Sequence, residues 1–308
     1  MLNLMGKRYW YFVFSLTVIL IGVIVMSIWG LPFSIDFKGG SQLDLKFSGK
    51  VPEPSQMIEL YNNLGISDVQ AFTSGTDTLI IRSSALTEET KSKILSTITK
   101  TFNEQVTINS ADTVGPTVSQ SITSRALLAI VASSLALVIF ITFQFRGVEH
   151  AFRYGACTVI ALIHDILVIL TVVAIGGRLF GWQVDTLFLT ALLTVIAFSA
   201  QDTIVVFDRL RENTAILRRV DFDKLTNHSV VQTLTRSINT QLMTVDFMLL
   251  SLALFGGVTL REFAIALLIG MISGSYSSDF IAAPLLIVWE NKEWKNWFRR
   301  SGETTTAA

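Results

Sequence analysis

The stretch that decides the fold covers residues 184–213 and reads VDTLFLTALLTVIAFSAQDTIVVFDRLREN. Its apolar part, residues 184–207, is long enough to cross a bilayer core about 30 Å thick, which needs a helix of about 20 residues. Asp185 stands where this run begins, Asp202 lies well inside it, and charged residues follow directly after it. The stretch therefore predicts a membrane-spanning helix that carries an ionisable group at hydrocarbon depth.

Other apolar runs of similar length lie on both sides of this stretch. The composition agrees with a membrane protein, because hydrophobic residues make up 51% of the 308 residues and charged residues only 16%, against about 25% charged residues in soluble domains. We predict a polytopic α-helical membrane protein with six transmembrane helices. Pro284 lies in the last of these helices and is expected to kink it. The six runs cover residues 10–30, 125–145, 154–175, 184–207, 238–258 and 263–289.

The orientation follows from the distribution of Lys and Arg, which accumulate in cytoplasmic loops. The short loops on one side hold only Arg178 and Arg261, whereas both termini and the loops on the other side carry many basic residues. The first run exceeds a signal-peptide core of roughly 7–15 residues, so we interpret it as an uncleaved anchor. Both termini are expected in the cytoplasm. The predicted units are residues 1–30, 31–123, 124–290 and 291–308.

The segment 31–123 is polar and is predicted to form one extracytoplasmic α+β domain. Its pattern reads strand, helix, strand, strand, helix, strand, with Thr87 capping the second helix and Glu88 in its first turn. This order is typical of a ferredoxin-like domain. The pairs Gly39-Gly40 and Gly115-Pro116 predict turns that join the domain to the first two membrane helices.

Asp202 is the strongest candidate site residue, because an ionisable group inside a membrane is costly and is a functional candidate by default. Ser199 lies one turn before it, on a stripe of small residues where another helix could pack closely. Arg236 opens the fifth run and could supply a counter-charge. Two interpretations stay open: a protonation site that changes with conformation, or a static ion pair between two helices.

Further polar residues near or within the runs are supporting candidates. Asp208 stands in a charge cluster typical of a membrane edge, although it could help position the inner loop. His164 beside Asp165 favours a helix-packing hydrogen bond over a metal site, since no third ligand is evident. Asp246 and Asp279 could extend a proton path, or could face the bundle or a partner and stay protonated.

Several functional classes are disfavoured by the sequence. Cys157 is the only cysteine, and 24 basic residues balance 24 acidic ones, so neither a disulfide scaffold nor a nucleic-acid binder is indicated. The sequence shows no nucleophile with its base, no metal cluster and no nucleotide loop. We therefore expect no enzyme, no cofactor and no metal site.

The motifs resemble those of the SecF family of protein-export membrane subunits, within the SecD/SecF family and the RND superfamily. The similarity covers nearly the whole chain, and residues 184–213 carry the strongest part of it. The matching blocks are IDFKGGSQLDLKF (35–47), VGPTVSQSI (114–122), the 184–213 stretch, TRSINTQL (235–242), and LFGGVTLREFAIALLIGMISGSYSS (254–278) followed by FIAAP.

The resemblance implies that the proton motive force drives late movement of secreted polypeptides across the membrane. It places the family's intramembrane carboxylate and arginine at Asp202 and Arg236, while Gln201 stands where the family usually has Asn. The implied partners are SecD, the SecYEG channel, YajC, indirectly SecA, and an unfolded secretory polypeptide. Two alternatives are a small-molecule efflux half-transporter and a non-conducting structural scaffold of the translocon.

Overall fold

The computed structural model describes residues 3–147, 150–217, 219–241 and 247–297. Long helices form one part, and a four-stranded sheet with two helices forms the other. The helices are α1 (Arg8–Trp29), α2 (Ile35–Lys38), α3 (Pro54–Asn63), α4 (Glu88–Phe102), α5 (Pro116–Gln144), α6 (Ala151–Phe180), α7 (Thr186–Ile216), α8 (Phe222–Thr240), α9 (Phe247–Phe255), α10 (Val258–Ser277), α11 (Ala283–Glu290) and α12 (Trp294–Trp297). The strands are β1 (Gly40–Phe47), β2 (Gln70–Ser74), β3 (Thr78–Ser83) and β4 (Val106–Val114).

Five helical stretches in the described ranges are long and apolar enough to cross a membrane. They correspond to five of the six predicted spans. The other one, residues 238–258, falls on the end of α8, on residues 242–246 outside the described ranges, and on α9. The six-span count therefore stays a prediction. The five stretches are Met5–Trp29, Pro116–Gln144, Ala151–Phe180, Thr186–Ile216 and Leu260–Glu290.

The last of these stretches changes its winding in the middle. A π-helical turn, Ser278–Ala282, separates α10 from α11. Pro284 follows it in the first turn of α11, and a proline can neither donate to the carbonyl four residues earlier nor pack closely against it. A wider turn relieves that conflict, so the irregularity lies where the sequence predicted a kink.

The domain predicted to lie outside the membrane, residues 31–123, is called the outer domain below, and it has the predicted order of strands and helices. Its sheet order is β2-β3-β1-β4, with every neighbouring pair antiparallel. Thr87 caps α4 through its side chain, which accepts from the Thr90 N–H. Alternate residues of β1 and β3 are buried against α3 and α4, as a half-buried sheet requires. The central residues of this core are Leu43, Leu45, Phe47, Met57, Tyr61, Leu79, Ile81, Ile94 and Ile98.

Two short connections attach the outer domain to the membrane helices. Gly40 has φ +135°, and a Cβ there would lie 2.5 Å from the Ser83 carbonyl oxygen, so only glycine fits where α2 turns into β1. Before α2, the Ser34 N–H donates to the Val184 carbonyl at 2.9 Å. The Asp36 carboxylate accepts from the N–H and the hydroxyl of Thr186, both at 3.1 Å. The domain entrance is thus fixed to the start of α7.

Helices α6, α7 and α10 form the densest part of the membrane bundle. Gly270 and Gly274, the GxxxG pair of α10, face α7. A Cβ at Gly270 would lie 2.4 Å from Val195 Cγ2, and one at Gly274 would lie 3.0 Å from Ser199 Cβ. Small residues allow this close approach, which brings the polar side chains of the three helices together.

Candidate functional site

Asp202 lies in α7 and faces α10. Its carboxylate is half-buried and accepts a hydrogen bond from Ser275 Oγ at 2.7 Å. The stripe of small residues predicted to shield it does pack closely on α10. A carboxylate held by one neutral hydroxyl has spare acceptor positions, so it can interact with further groups.

Arg236 lies in α8, which packs against α7. Its side chain is exposed, and its charge acts on Asp202. Both residues are described, and no ion pair within 4.0 Å joins them among the described residues. The structure therefore places the two predicted partners on adjacent helices without direct contact.

A cavity of about 390 Å³ lies between α7 and α8 on the Arg236 side. Asp208, Arg209 and Glu212 contribute to its wall. Arg209 pairs with Glu212 at 2.7 Å, and Asp208 lies 3.8 Å from Arg211. These side chains are about half exposed. This geometry agrees with the charge cluster expected at a membrane edge, with Asp208 as one member.

Asp165 is the centre of a polar cluster that joins three helices of the bundle. Its side chain is 1% exposed. Oδ2 accepts from Ser199 Oγ at 2.6 Å and from Ser277 Oγ at 2.7 Å, and Oδ1 accepts from Ser273 Oγ at 2.8 Å. His164 Nδ1 lies 3.1 Å from Oδ1. We refer to these five residues as the Asp165 cluster; they join α6, α7 and α10.

The Asp165 cluster confirms that this residue makes helix-packing hydrogen bonds, and it changes the environment expected for Ser199. The sequence placed Ser199 on the Asp202 stripe, whereas its hydroxyl donates to Asp165. Sequence reasoning missed Ser273 as a functional neighbour. Its spacing of four residues from Ser277 on one helix face was the available signal.

A second polar chain continues from Ser199 towards the π turn. Thr203 Oγ1 donates to the Ser199 carbonyl at 3.0 Å and lies 2.8 Å from Ser278 Oγ. Ser278 Oγ also donates to the Gly274 carbonyl at 2.9 Å. Hydroxyls and carbonyls therefore line the contact between α7 and α10 over about two turns.

The remaining candidates have separate settings. Asp279 lies in the π turn, is 3% exposed, and its Oδ1 has no hydrogen-bond partner among the described atoms. Gln201 is exposed, and no hydrogen bond of its side chain is found in the described ranges. Asp246 lies outside the described residues. Residues 3–147, 150–217, 219–241 and 247–297 contain no group of three His, Cys, Asp or Glu arranged to hold a metal ion.

Arg82 connects the outer domain to the loop between α6 and α7. Its guanidinium donates to Gln42 Oε1 at 3.0 Å and to the Gly181 carbonyl at 3.2 Å, and it lies 5.3 Å from the Phe72 ring centre. Burial lowers the pKa of Arg82 to about 10, although nearby carboxylates act to raise it. One of them is Asp185, whose own pKa burial raises.

At the opposite end of the bundle, Arg8 joins three segments that are distant in sequence. It pairs with Glu293 at 2.5 Å and with Asp223 at 3.2 Å. Tyr9 donates its hydroxyl to Glu293 at 2.6 Å, and Asn291 donates to Asp223 at 2.6 Å. No spacing in the sequence predicts this cluster, because its residues come from three separate parts of the chain.

Comparison with known proteins relates this arrangement to protein export. Residues 94–292 match the C-terminal family of the protein export membrane proteins SecD/SecF, and residues 26–51 match the SecD/SecF GG motif. The latter contains Asp36 and the Gly39-Gly40 turn that attach the outer domain. The protein translocase subunit SecF of Anaerolinea thermophila is 57% identical over 308 residues, which cover 100% of both chains.

Two longer relatives contain this unit as a part. The protein translocase subunit SecDF of Bacillus subtilis is 31% identical over 293 residues, which cover 94% of this chain and 38% of that protein. The crystal structure of SecDF from Thermus thermophilus, a translocon-associated membrane protein, has a TM-score of 0.83 and 26% identity, covering 94% of this chain and 39% of that one. These relatives are named as translocase subunits, not as enzymes. The chain belongs to the SecF family of protein translocase subunits.

Proposed function

We propose that this chain uses the proton motive force to promote polypeptide movement through the Sec channel and release on the outer side. The observation that carries the proposal is the environment of the Asp202 carboxylate. This carboxylate is an ionisable group within a membrane span, and the one side-chain hydrogen bond that it makes with the described residues comes from the neutral hydroxyl of Ser275. A carboxylate held in this way is free to gain and lose a proton.

Arg236 is the group that would respond to the charge of Asp202. Its side chain lines the cavity between α7 and α8 and lies near Asp202 without pairing with it. When Asp202 is ionised, attraction draws the guanidinium towards α7, and protonation removes that attraction. Repeated protonation would therefore change how α8 packs against α7. Gln201, Ser199, Asp208, Asp246 and Asp279 are proposed as supporting polar residues of the same region.

The available free energy sets the scale of the movement. One elementary charge that crosses 100 mV supplies about 2.3 kcal/mol. This amount can bias an equilibrium between two helix packings, but it is far below the free energy of unfolding of an ordinary domain, about 5–15 kcal/mol. We therefore propose a rearrangement of intact helices and not an unfolding step.

The outer domain, residues 31–123, would carry this movement to the polypeptide. Its strand order and its antiparallel pairing support a ferredoxin-like fold. Asp36 and Arg82 connect it to the start of α7 and to the α6–α7 loop. A change at Asp202, further along α7, would reach the domain through the same helix.

The proposed setting is a complex in a bacterial inner membrane. The length of SecDF proteins supports SecD as the second half of the transporter, with the two halves arranged as parallel repeats. We propose six spans with both termini in the cytoplasm, because Lys and Arg accumulate on that side. SecYEG, YajC and, indirectly, SecA are the remaining proposed partners.

The test is export driven by a proton gradient in inverted vesicles. Asp202→Asn is expected to abolish the stimulation of export by the gradient while the protein still assembles. Glu212→Gln is the matched control, since it removes an exposed carboxylate from the inner end of the same helix. Full stimulation in Asp202→Asn would reject the proton role and would favour a structural scaffold. Drug resistance that depends on the chain would favour small-molecule efflux.

A further inference from the structure

Asp165 is a buried carboxylate that the Asp202 mechanism does not use. It is 1% exposed, and its two oxygens make four contacts with side chains from three helices. A carboxylate offers about four lone-pair positions, so the Asp165 cluster fills them. The cluster either stabilises a single protonation state of Asp165 or can stabilise both.

Among the described residues, the groups that contact Asp165 include no permanent cation. Helix α5 has no ionisable residue between positions 126 and 143, and Glu290 at the end of α11 pairs with Arg153. Tyr276 on α10 stacks at 6.0 Å from His164 and donates to the Tyr11 carbonyl of α1 at 3.2 Å. Besides His164 itself, the ionisable residues within three positions of a member of the cluster are Asp202, Tyr276 and Asp279.

Three of the four contacts are serine hydroxyls, which can donate or accept. A guanidinium can only donate and would hold Asp165 ionised. Hydroxyls can instead turn when the carboxylate gains a proton. The cluster can serve both states, provided that at least one serine has another acceptor for its hydrogen.

Ser277 has that second acceptor. Its Oγ lies 2.7 Å from Asp165 Oδ2 and 3.1 Å from the Gly274 carbonyl oxygen. In the ionised state Ser277 donates to Asp165. When a proton binds to Oδ2, the new O–H donates to Ser277 Oγ, and Ser277 donates to Gly274. Every buried polar atom in this exchange keeps a partner, so neither state has the cost of an unsatisfied group.

From this geometry we propose that Asp165 is a second proton-binding site of the membrane bundle, with Ser277 as the hydroxyl that reverses direction. The site lies where α6, α7 and α10 meet, and Ser277 directly precedes the π turn. The proton would therefore act on the packing of these three helices. Only the use of this proton in export rests on the proposed function; proton binding itself does not.

The experiment measures infrared difference spectra of the full-length chain in lipid vesicles during a pH titration. Titration over about pH 3 to 11 spans the ordinary range of carboxyl and amine groups. The wild type is expected to show a protonated-carboxyl band that Asp202→Asn retains and Asp165→Asn loses. If no titrating band depends on Asp165, the proposal is overturned, whatever the export assay shows for Asp202.

Two serine variants keep Asp165 and test the direction of the hydrogen bonds. Ser273→Ala removes a donor that serves the ionised form more strongly than the neutral one, so the midpoint of the band should rise by about one pH unit, a tenfold change in proton affinity. Ser277→Ala removes one bond from each form, so its shift should be much smaller. Equal shifts would overturn the role of Ser277.

Discussion

Asp165 and Asp202 lie on adjacent helices of one bundle, yet their surroundings differ in kind. Asp165 is almost completely buried and makes four side-chain contacts, three of them with serines. Asp202 is half-buried, has one hydroxyl donor, and experiences the charge of Arg236 from a distance. The first carboxylate is held by its neighbours, and the second is open to change.

The properties of an acid inside a membrane protein therefore depend more on its partners than on its depth. A complete set of hydroxyl donors stabilises the helix packing in either protonation state of Asp165. Asp202 has fewer hydroxyl donors, so the charge of the more distant Arg236 can act on it. The same bundle thus contains one carboxylate whose neighbours can satisfy both of its protonation states and one whose charge acts on a more distant group, and variants can separate the two.

The largest expected effect is the loss of the Asp165 cluster. Asp165→Ala removes three serine hydrogen bonds, and intramembrane hydrogen bonds contribute about 0.6 kcal/mol each on average, so we expect a loss of about 2 kcal/mol. Asp202→Ala removes one such bond and should cost about 0.6 kcal/mol. Thermal unfolding of both variants in the same detergent measures the difference. Equal losses would remove the distinction between the two carboxylates.

Overpacking next to the Asp165 cluster is expected to have the next largest effect. In Gly274→Ala the new Cβ would lie 3.0 Å from Ser199 Cβ, which should push α7 from α10 and cost about 1 kcal/mol. Gly147→Ala is the matched control, because a Cβ there meets no atom within 4 Å. Unfolding midpoints check this prediction, and a larger loss at Gly147 would contradict it.

A smaller effect is expected where the helices of the two carboxylates are joined. The α6–α7 loop contacts Arg82 through the Gly181 carbonyl. In Arg82→Lys the single ammonium group should not reach both Gln42 and Gly181, as the guanidinium does. Hydrogen exchange of residues 181–186 should then rise severalfold, since about 1 kcal/mol of contact is lost. Lys46→Met, at an exposed pair with Asp77, is the control. Unchanged exchange in Arg82→Lys would show that the outer domain does not depend on this contact.

The sequence predicted five of the six spans and the order of strands and helices in residues 31–123, because these signals are local. Apolar runs, alternating strands and caps such as Thr87 depend on neighbouring residues, and the structure places elements at these positions. The candidate site was predicted only by residue type. Asp202 and Asp165 stand out as charges inside apolar runs, but the contacts of Ser199 and Ser273 depend on the rotation of α7 and α10. That rotation is set by packing at glycines, which a single sequence does not reveal.

The smallest effect concerns an acid outside the membrane spans, where water limits the interaction. Glu293 is partly buried, which raises its pKa, but hydrogen bonds from Tyr9 and Arg8 and the charge of Arg8 outweigh this and lower the pKa below 4.5. A lowered folded pKa means that the stabilisation is complete above about 4.5 and is lost as pH falls through the folded value. The contact between the two chain ends should therefore loosen only in acid.

Spin labels at residues 6 and 292 can measure this loosening as a broader distance distribution at about pH 3 than at pH 7, on either side of the ordinary carboxyl pKa. Glu293→Gln retains a hydrogen-bond acceptor but lacks the titrating charge, so its distribution should be broad at both pH values. A pH response that persists in Glu293→Gln would assign the effect to Asp223, the other acid paired with Arg8. The comparison then extends to three acids: one buried and satisfied, one half-buried and responsive, and one at the surface that titrates only outside the physiological range.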